Sequence, residues 1–317
     1  MHSPREGGER WASAYHAPVL VEAVLGMLEG ARTVLDGTLG GGGHAEALLS
    51  GGVTVTGLDR DPDALAAARE RLRQYEEAGR FVAVLGNFAN VDDIEALDGA
   101  RFDGILLDLG VSSHQLDALD RGFSFREGAP LDMRMAGAAA PMSAAELLGT
   151  TEERELGRIF REYADEPRAM RLAREIVRRR SSGPMETSDD LVGAIRGALG
   201  PRTGPPDFAR LFQAVRIAVN DEMEALREGL PRLRDRLTSG GVLAVITYHS
   251  GEDRQVKRAF REWSAACICP PRQPVCTCRD EPLGERVAPR GITADAEEIA
   301  RNPRARSARV RGWRSAA

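Results

Sequence analysis

Short apolar runs alternate with longer helix-period segments through the first third of the chain. His16-Ala17-Pro18-Val19-Leu20 leads into an apolar-periodic helix through Leu28. Thr33 to Asp36 reads as a short strand, Val53 to Leu58 as a second ending at Asp59, Phe81 to Leu85 as a third, and Ile105 to Leu107 as a fourth ending at Asp108. Between them, a helix starts near His44, and another runs from Asp61-Pro62 to about Tyr75. Asp61 suits its cap and Pro62 its first position. Strands alternating with helices predict a parallel sheet with right-handed crossovers. The period then changes. From about Pro141 to Gly229 the pattern is helical. Thr150 with Glu153 resembles a capping box, and Leu156, Ile159, Phe160 and Tyr163 lie on one face. Pro167 opens a further helix, Thr187 or Ser188 the next, and Phe208 a long one. Strand character returns at Val242 to Tyr248. A short helix near Ala294 to Ala300 and a strand around Val310 close the chain. The expected layout is a disordered tail over 1–14, an α/β domain from 15–137 and 230–317, and an inserted all-helical domain over 138–229.

Composition narrows the class. The chain has 317 residues, a formal net charge of −5 and 5% aromatic residues. The net charge speaks against broad nucleic-acid binding, but a local basic patch is what phosphate contact requires. No apolar run reaches transmembrane length, and the polar N-terminal stretch has no signal-peptide core. A cytoplasmic protein with no membrane partner is expected. The four cysteines lie between Cys267 and Cys278, unlike a secreted disulfide framework. Their two C-x-C pairs are tighter than the usual C-x2-C zinc spacing. They could bind zinc through four thiolates, but free thiols are the preferred reading.

The chemistry centres on the turn after the first strand. Gly40 to Gly43 allow positive φ angles and close approach of a ligand at a helix N-terminus. Asp36, just before the turn, repels a pyrophosphate but suits the amino group and sulfonium of S-adenosyl-L-methionine (AdoMet). This makes an NAD oxidoreductase the weakest reading. Asp59, 17 residues beyond Gly42, sits where an acid hydrogen-bonds ribose hydroxyls. Phe88 is as well placed to pack on an adenine as to be plain core. Asp108, Ser112, Ser113 and Gln115 follow the fourth strand, where a target amine would be gripped. His249 follows the late strand as a candidate proton relay or base contact, although a lone histidine is more often structural. Arg168, Arg171, Arg174, Arg178, Arg179 and Arg180 form one arginine-rich stretch. Arg304, Arg306, Arg309, Arg311 and Arg314 form another, interleaved with Asn302, Pro303 and Ser307. Such runs are usually solvated faces, yet either could meet RNA phosphates.

Taken together, "HAPVL" at His16, "LDGTLGGGGH" ending at His44, "DRDP" at Asp59, "LLDLGVSS" around Asp108, "RGFSF" at Arg121, "PLDMRM" at Pro130, "FQAVRIAVN" at Phe212, "HSGEDR" at His249 and "NPRARSAR" at Asn302 resemble one family. It is that of the bacterial 16S ribosomal RNA cytosine-N4 methyltransferases. The resemblance implies a class I AdoMet-dependent methyltransferase fold with an inserted helical domain. It implies AdoMet contacts at Gly42, Gly43, His44, Asp59, Phe88, Asp108 and Gln115. The strand-end reading adds catalytic roles for Asp108, Ser112, Ser113 and His249. Arg210, Asn302, Arg304 and Arg306 are the expected RNA contacts. The substrate implied is a decoding-centre cytosine in the small ribosomal subunit, and a second copy of the chain is a candidate partner. His114 stands where the family often has proline, and Gly251 where it has leucine. Upstream of Phe212 little but Arg210 is kept. Alternatives are a DNA cytosine-N4 methyltransferase, which would carry a Pro-Pro-aromatic follow-up absent after Asp108, and a non-catalytic RNA-binding assembly factor.

Overall fold

A computed structural model describes residues 18–269, 275, 277–279 and 281–317. The expected tail over 1–14, the opening His16-Ala17 and Cys276 lie outside the described residues. By internal packing the chain divides into two units. One runs to Gly110 and resumes over Glu224–Ala317, and the other is Val111–Met223.

The first unit is built on a seven-stranded sheet. Its strands are β1 (Thr33–Asp36), β2 (Thr54–Asp59), β3 (Phe81–Leu85), β4 (Phe102–Asp108), β5 (Leu237–Thr247), β6 (Gly284–Thr293) and β7 (Arg309–Ser315), in the order β3-β2-β1-β4-β5-β7-β6. The first five are parallel, while β7 runs antiparallel to both β5 and β6. Alternate residues of each central strand enter different cores. Val34, Leu106, Ala244 and Ile246 pack with α1 (Val21–Met27), α2 (Gly43–Ser50) and α3 (Pro62–Glu77). Leu35, Ile105, Leu107, Leu243 and Val245 pack with α10 (Glu222–Asp235) and α11 (Ser250–Trp263). A strand covered on both faces needs no polar alternation, which is why these segments read as continuous apolar runs. Asp61 caps α3 as expected, accepting the Asp63 N–H at 3.1 Å, with Pro62 in the first turn.

β6 was not legible in the sequence. It lies at the sheet edge, most of its residues are exposed or half-buried, and its register shifts between Val287 and Ile292 around Pro289 and Gly291. An edge strand with a bulge has no period-2 apolar signal. The short helix α12 (Ala296–Arg301) and the 3-10 turn Pro303–Ser307 separate β6 from β7.

The second unit holds α4 (Ser113–Asp117), α5 (Ala144–Thr150), α6 (Glu153–Ala164), α7 (Ala169–Arg180), α8 (Ser188–Leu199) and α9 (Pro205–Val219). Residues 111–137, expected with the sheet, share their core with these helices through Phe123, Leu131, Met133 and Met135. The expected capping box at Thr150 is displaced. Ser143 and Glu146 form it at the start of α5, whereas Thr150 ends that helix and donates its hydroxyl to the Glu146 carbonyl at 2.7 Å. α9 begins at Pro205 rather than Phe208 because the prolines fit the first turn, where no N–H is needed. Asn220 joins two motifs of the sequence. Its side chain accepts the Met135 N–H at 2.8 Å and donates to the Met133 carbonyl at 2.7 Å.

Gly122 in "RGFSF" has φ +70°, and a Cβ there would lie 2.2 Å from the Pro130 carbonyl oxygen. Backbone, unlike the end of a side chain, cannot swing aside. Gly122→Ala is therefore expected to destabilise the protein by about 2 kcal/mol or more. Urea unfolding followed by circular dichroism checks this, and an unchanged midpoint would contradict the packing described.

Candidate active site

The sheet sends four acidic or aromatic side chains to one edge. Asp36 ends β1, Asp59 ends β2, Asp108 ends β4, and Phe88 follows the turn after β3. In open parallel sheets this carboxyl edge, at the point where strand order reverses, is where ligands bind. Here the reversal falls between β1 and β4.

The glycine turn closes over that edge by its own packing. Gly42 is the N-cap of α2 at φ +77°, and a Cβ on it would press within 3.0 Å of Leu72 on α3. The Gly40 N–H donates to Asp59 Oδ2 at 2.7 Å, and the Asp61 N–H to Asp59 Oδ1 at 2.9 Å. Asp59 is thus tied to the turn, yet burial still raises its pKa to about 6. Asp36 is 1% exposed. Desolvation raises its pKa to about 7, against the lowering influence of His44 and of the Thr38 N–H bonded to it.

Asp108 has a more complete set of partners. Its N–H donates to Thr38 Oγ1 at 2.6 Å, and its Oδ1 accepts the Tyr248 hydroxyl at 2.8 Å. His44 Nε2 lies 3.5 Å from Asp108 Oδ2. That is proximity rather than a hydrogen bond, and the buried His44 nitrogens have no hydrogen-bond partner among the described residues. Burial and the Asp108 charge push the Tyr248 hydroxyl far above its usual range, so it stays a donor. Tyr248 was the residue that sequence reasoning passed over. Its signal was a polar tip closing the apolar run of β5, next in the sheet to the strand that ends at Asp108.

Phe88 is half-buried, with its ring seated against Gly229 of α10, where a Cβ would come within 2.6 Å of it. His249 serves as the N-cap of α11. Its Nδ1 accepts from the Gly251 and Glu252 N–H groups at 3.2 and 3.4 Å, and its Nε2 lies 3.1 Å from Glu252 Oε1. Accepting at Nδ1 places the ring proton on Nε2, facing Glu252. This is a structural cap, which is how a lone histidine in "HSGEDR" is accounted for.

The remaining expected residues are distributed over both units. In the second unit, Ser112 and Gln115 are capping-box partners at the start of α4, with bonds of 3.2 and 3.0 Å, and Ser113 is its first residue. There too, Arg210 is bonded to the Ala164 carbonyl and, at 2.7 Å, to the buried Glu166. Arg178 and Arg179 pair with Glu175, and Arg180 donates to the Leu148 and Thr151 carbonyls. In the first unit, Arg311 is a buried partner of Asp253 at 2.7 Å. Asn302 caps the 3-10 turn that carries the exposed Arg304 and Arg306. Several arginines that read as an RNA-facing run are thus engaged within the fold. Elsewhere, the sulfurs of Cys267, Cys269 and Cys278 lie within 4.8 Å of one another. No helix of the described residues is long and apolar enough to cross a membrane.

A doubly wound sheet of this order, with an acid before a glycine turn and further acids at two neighbouring strand ends, defines a class I methyltransferase. The description of the MraW methylase family matches residues 13–315, and the chain belongs to that family. It is similar to three proteins called ribosomal RNA small subunit methyltransferase H. That of Gemmatimonas aurantiaca is 64% identical, across 95% of this chain and 96% of that one. Those of Heliobacterium modesticaldum and Pelobacter propionicus are each 46% identical, over 94% and 95% of this chain and 97% and 98% of theirs. The cofactor is AdoMet, and the residues present fit it. Buried acids short of cations suit a sulfonium and an ammonium, while His44 at a helix N-terminus suits a carboxylate.

The Asp36 shift has a consequence for stability. Folded Asp36 holds its proton up to about pH 7, while the unfolded residue releases it near 3.8. Between those values the folded chain binds more protons, so stability falls as pH rises through the window. Asp59 adds the same trend up to about 6. The ligand-free protein should melt about 3 °C lower at roughly pH 7.5 than at roughly pH 5.5. Asp36→Asn should remove most of that difference. Scanning calorimetry across this range checks both, and a melting temperature that rises with pH would refute the assignment.

Proposed function

We propose that this protein transfers the methyl group of AdoMet to the N4 amine of a cytosine in 16S rRNA of the small ribosomal subunit. The names of the relatives support the RNA, and the chemistry of the carboxyl edge supports the amine. The observation that carries the reading is Asp108, a partly buried carboxylate with one oxygen fixed by Tyr248 and the other near His44. An exocyclic amine has its lone pair delocalised into the base, so it needs an acceptor for its N–H and a fixed line of approach. AdoMet supplies an electrophilic methyl group on a sulfonium.

The chain's own residues do the positioning. Asp36 and Asp108 would face the cationic part of the cofactor, Asp59 the ribose, Phe88 the adenine, and Gly42, Gly43 and His44 the amino-acid end. Tyr248 holds the Asp108 carboxylate in one orientation. Ser112, Ser113 and Gln115 belong to the loop and helix that follow Asp108 in the chain. Ser112 and Ser113 would hold the base, and Gln115 would contact the cofactor. The second unit would recognise RNA, with Arg304 and Arg306, exposed beside Asn302, as phosphate contacts. Arg210, already paired with Glu166, would act on RNA through that anchored position. This reading places the protein in the cytoplasm.

Carbon-5 methylation of cytosine would require a thiolate nucleophile. The cysteines all come after α11, a 14-residue helix that leads about 20 Å away from the carboxyl edge. Methylation of small subunits, followed by mass spectrometry of nucleosides, tests the proposal. N4-methylcytidine is the expected product. Only 5-methylcytidine, or no product on any ribosomal substrate, would overturn it.

Asp108→Ala should lower kcat/KM by about 100-fold or more. Tyr248→Phe should lower it by roughly 10-fold, the value of one hydrogen bond to a charged group. Steady-state methylation kinetics compare the two. A full-rate Asp108→Ala would remove Asp108 from the reaction. AdoMet binding should tighten from about pH 6 to about pH 8, because the cation favours ionised Asp36. Calorimetry in buffers of different ionisation enthalpy should register proton release. Proton uptake would contradict the placement of the cation at Asp36.

A further inference from the structure

The methyl-transfer reading uses none of the four cysteines. They lie in the segment between α11, which ends at Trp263, and β6, which begins at Gly284. None of the described residues between these elements is in a helix or strand. Its apolar members Ile268 and Val275 are 48% and 70% exposed. Among the described residues, these two side chains bury little apolar surface to offset the entropy of ordering the chain.

It nevertheless brings three sulfurs together. Cys267, exposed, and Cys269 and Cys278, both half-buried, place their Sγ atoms all within 4.8 Å of one another. Sulfurs around a tetrahedral zinc ion, with bonds of about 2.3 Å, sit roughly 3.8 Å apart. The group contains no carboxylate or imidazole, so its donors are uniformly soft and select zinc over magnesium or calcium. The backbone N–H of Ile268 donates to Cys278 Sγ at 3.3 Å. The same sulfur lies 3.4 Å from the Arg279 carbonyl, so backbone groups hold Cys278 in place.

Both ends of the segment are anchored. The Leu283 N–H donates to the Trp263 carbonyl at 2.9 Å. Arg279, next to Cys278, donates to the Ala265 carbonyl at 3.2 Å and to that of Glu262. Trp263 packs on Trp313 of β7 with ring centroids 5.3 Å apart. A crosslink here would therefore brace the connection from α11 to the antiparallel edge of the sheet.

We propose that Cys267, Cys269 and Cys278 are ligands of a structural zinc ion. On binding, each thiol gives up its proton to solvent and forms one S–Zn bond, with no change in oxidation state. The sequence spacing, tighter than the familiar knuckle, had favoured free thiols over a metal. The chain's other cysteine, Cys276, lies outside the described residues.

The test uses the full chain, purified without a polyhistidine tag from zinc-containing medium, and is independent of the methyl-transfer reading. Elemental analysis should find about one zinc per chain, released when the thiols are modified with an organomercurial. Replacement by cobalt(II) should give thiolate-to-cobalt charge-transfer absorption and the d–d bands of a tetrahedral site. The double variant Cys267→Ser/Cys278→Ser should lose the metal and the cobalt spectrum while still binding AdoMet. Wild-type protein that stays metal-free after incubation with zinc, that holds iron instead, or whose cysteines prove to be joined as disulfides would overturn the proposal. These wild-type measurements stand even if the double variant fails to fold.

Discussion

The burial of acids under the glycine turn is the constraint on which the site depends. Asp36 is almost fully enclosed, with Asp59 and Asp108 close enough to raise its pKa further. Gathering carboxylates out of water is costly unless a cation joins them or one keeps its proton. Without ligand, Asp36 takes the second course. A sulfonium and an ammonium offer the first, so the same burial that costs stability in the empty protein selects a positively charged ligand.

The rest of the first unit serves to hold that arrangement. β1 and β4 lie side by side, which brings Asp36 and Asp108 to one edge. β5 lies next to β4 and leads into Tyr248, whose hydroxyl fixes Asp108. The turn is held from both sides, by Asp59 through the Gly40 N–H and by the close approach of Gly42 to Leu72. Glycines in this turn thus serve packing as much as ligand access. The motif "HSGEDR" does its work as a helix cap at His249 and as the source of an ion pair, Asp253 with Arg311.

The arginines show how charge runs mislead. Six arginines over 168–180 suggest a phosphate-binding face. In the fold, Arg178 and Arg179 share Glu175, Arg180 closes on two carbonyls, and Arg168 donates to the Leu199 carbonyl. Arg304 and Arg306 are exposed on a 3-10 turn whose cap is Asn302. The interleaved Asn, Pro and Ser residues mark that turn, and Arg311, in the same stretch, is a buried partner of Asp253.

Much of the architecture was legible in the chain itself. Continuous apolar runs marked the parallel strands, because burial on both faces removes any need for polar alternation. Asp61-Pro62 marked the start of α3, because local capping and the fixed φ of proline act within a few residues. The acids at the strand ends and the glycine turn were legible for the same reason. Tertiary structure alone decided matters that depend on residues distant in sequence. It paired Tyr248 with Asp108, turned His249 into a cap and placed residues 111–137 with the helices. It also brought three cysteine sulfurs together and added β6 as a bulged edge strand with no apolar period. A sequence specifies which side chains are available and how each local segment bends. Which of them lose water together, and so which pKa values shift, is decided only when the strands pair.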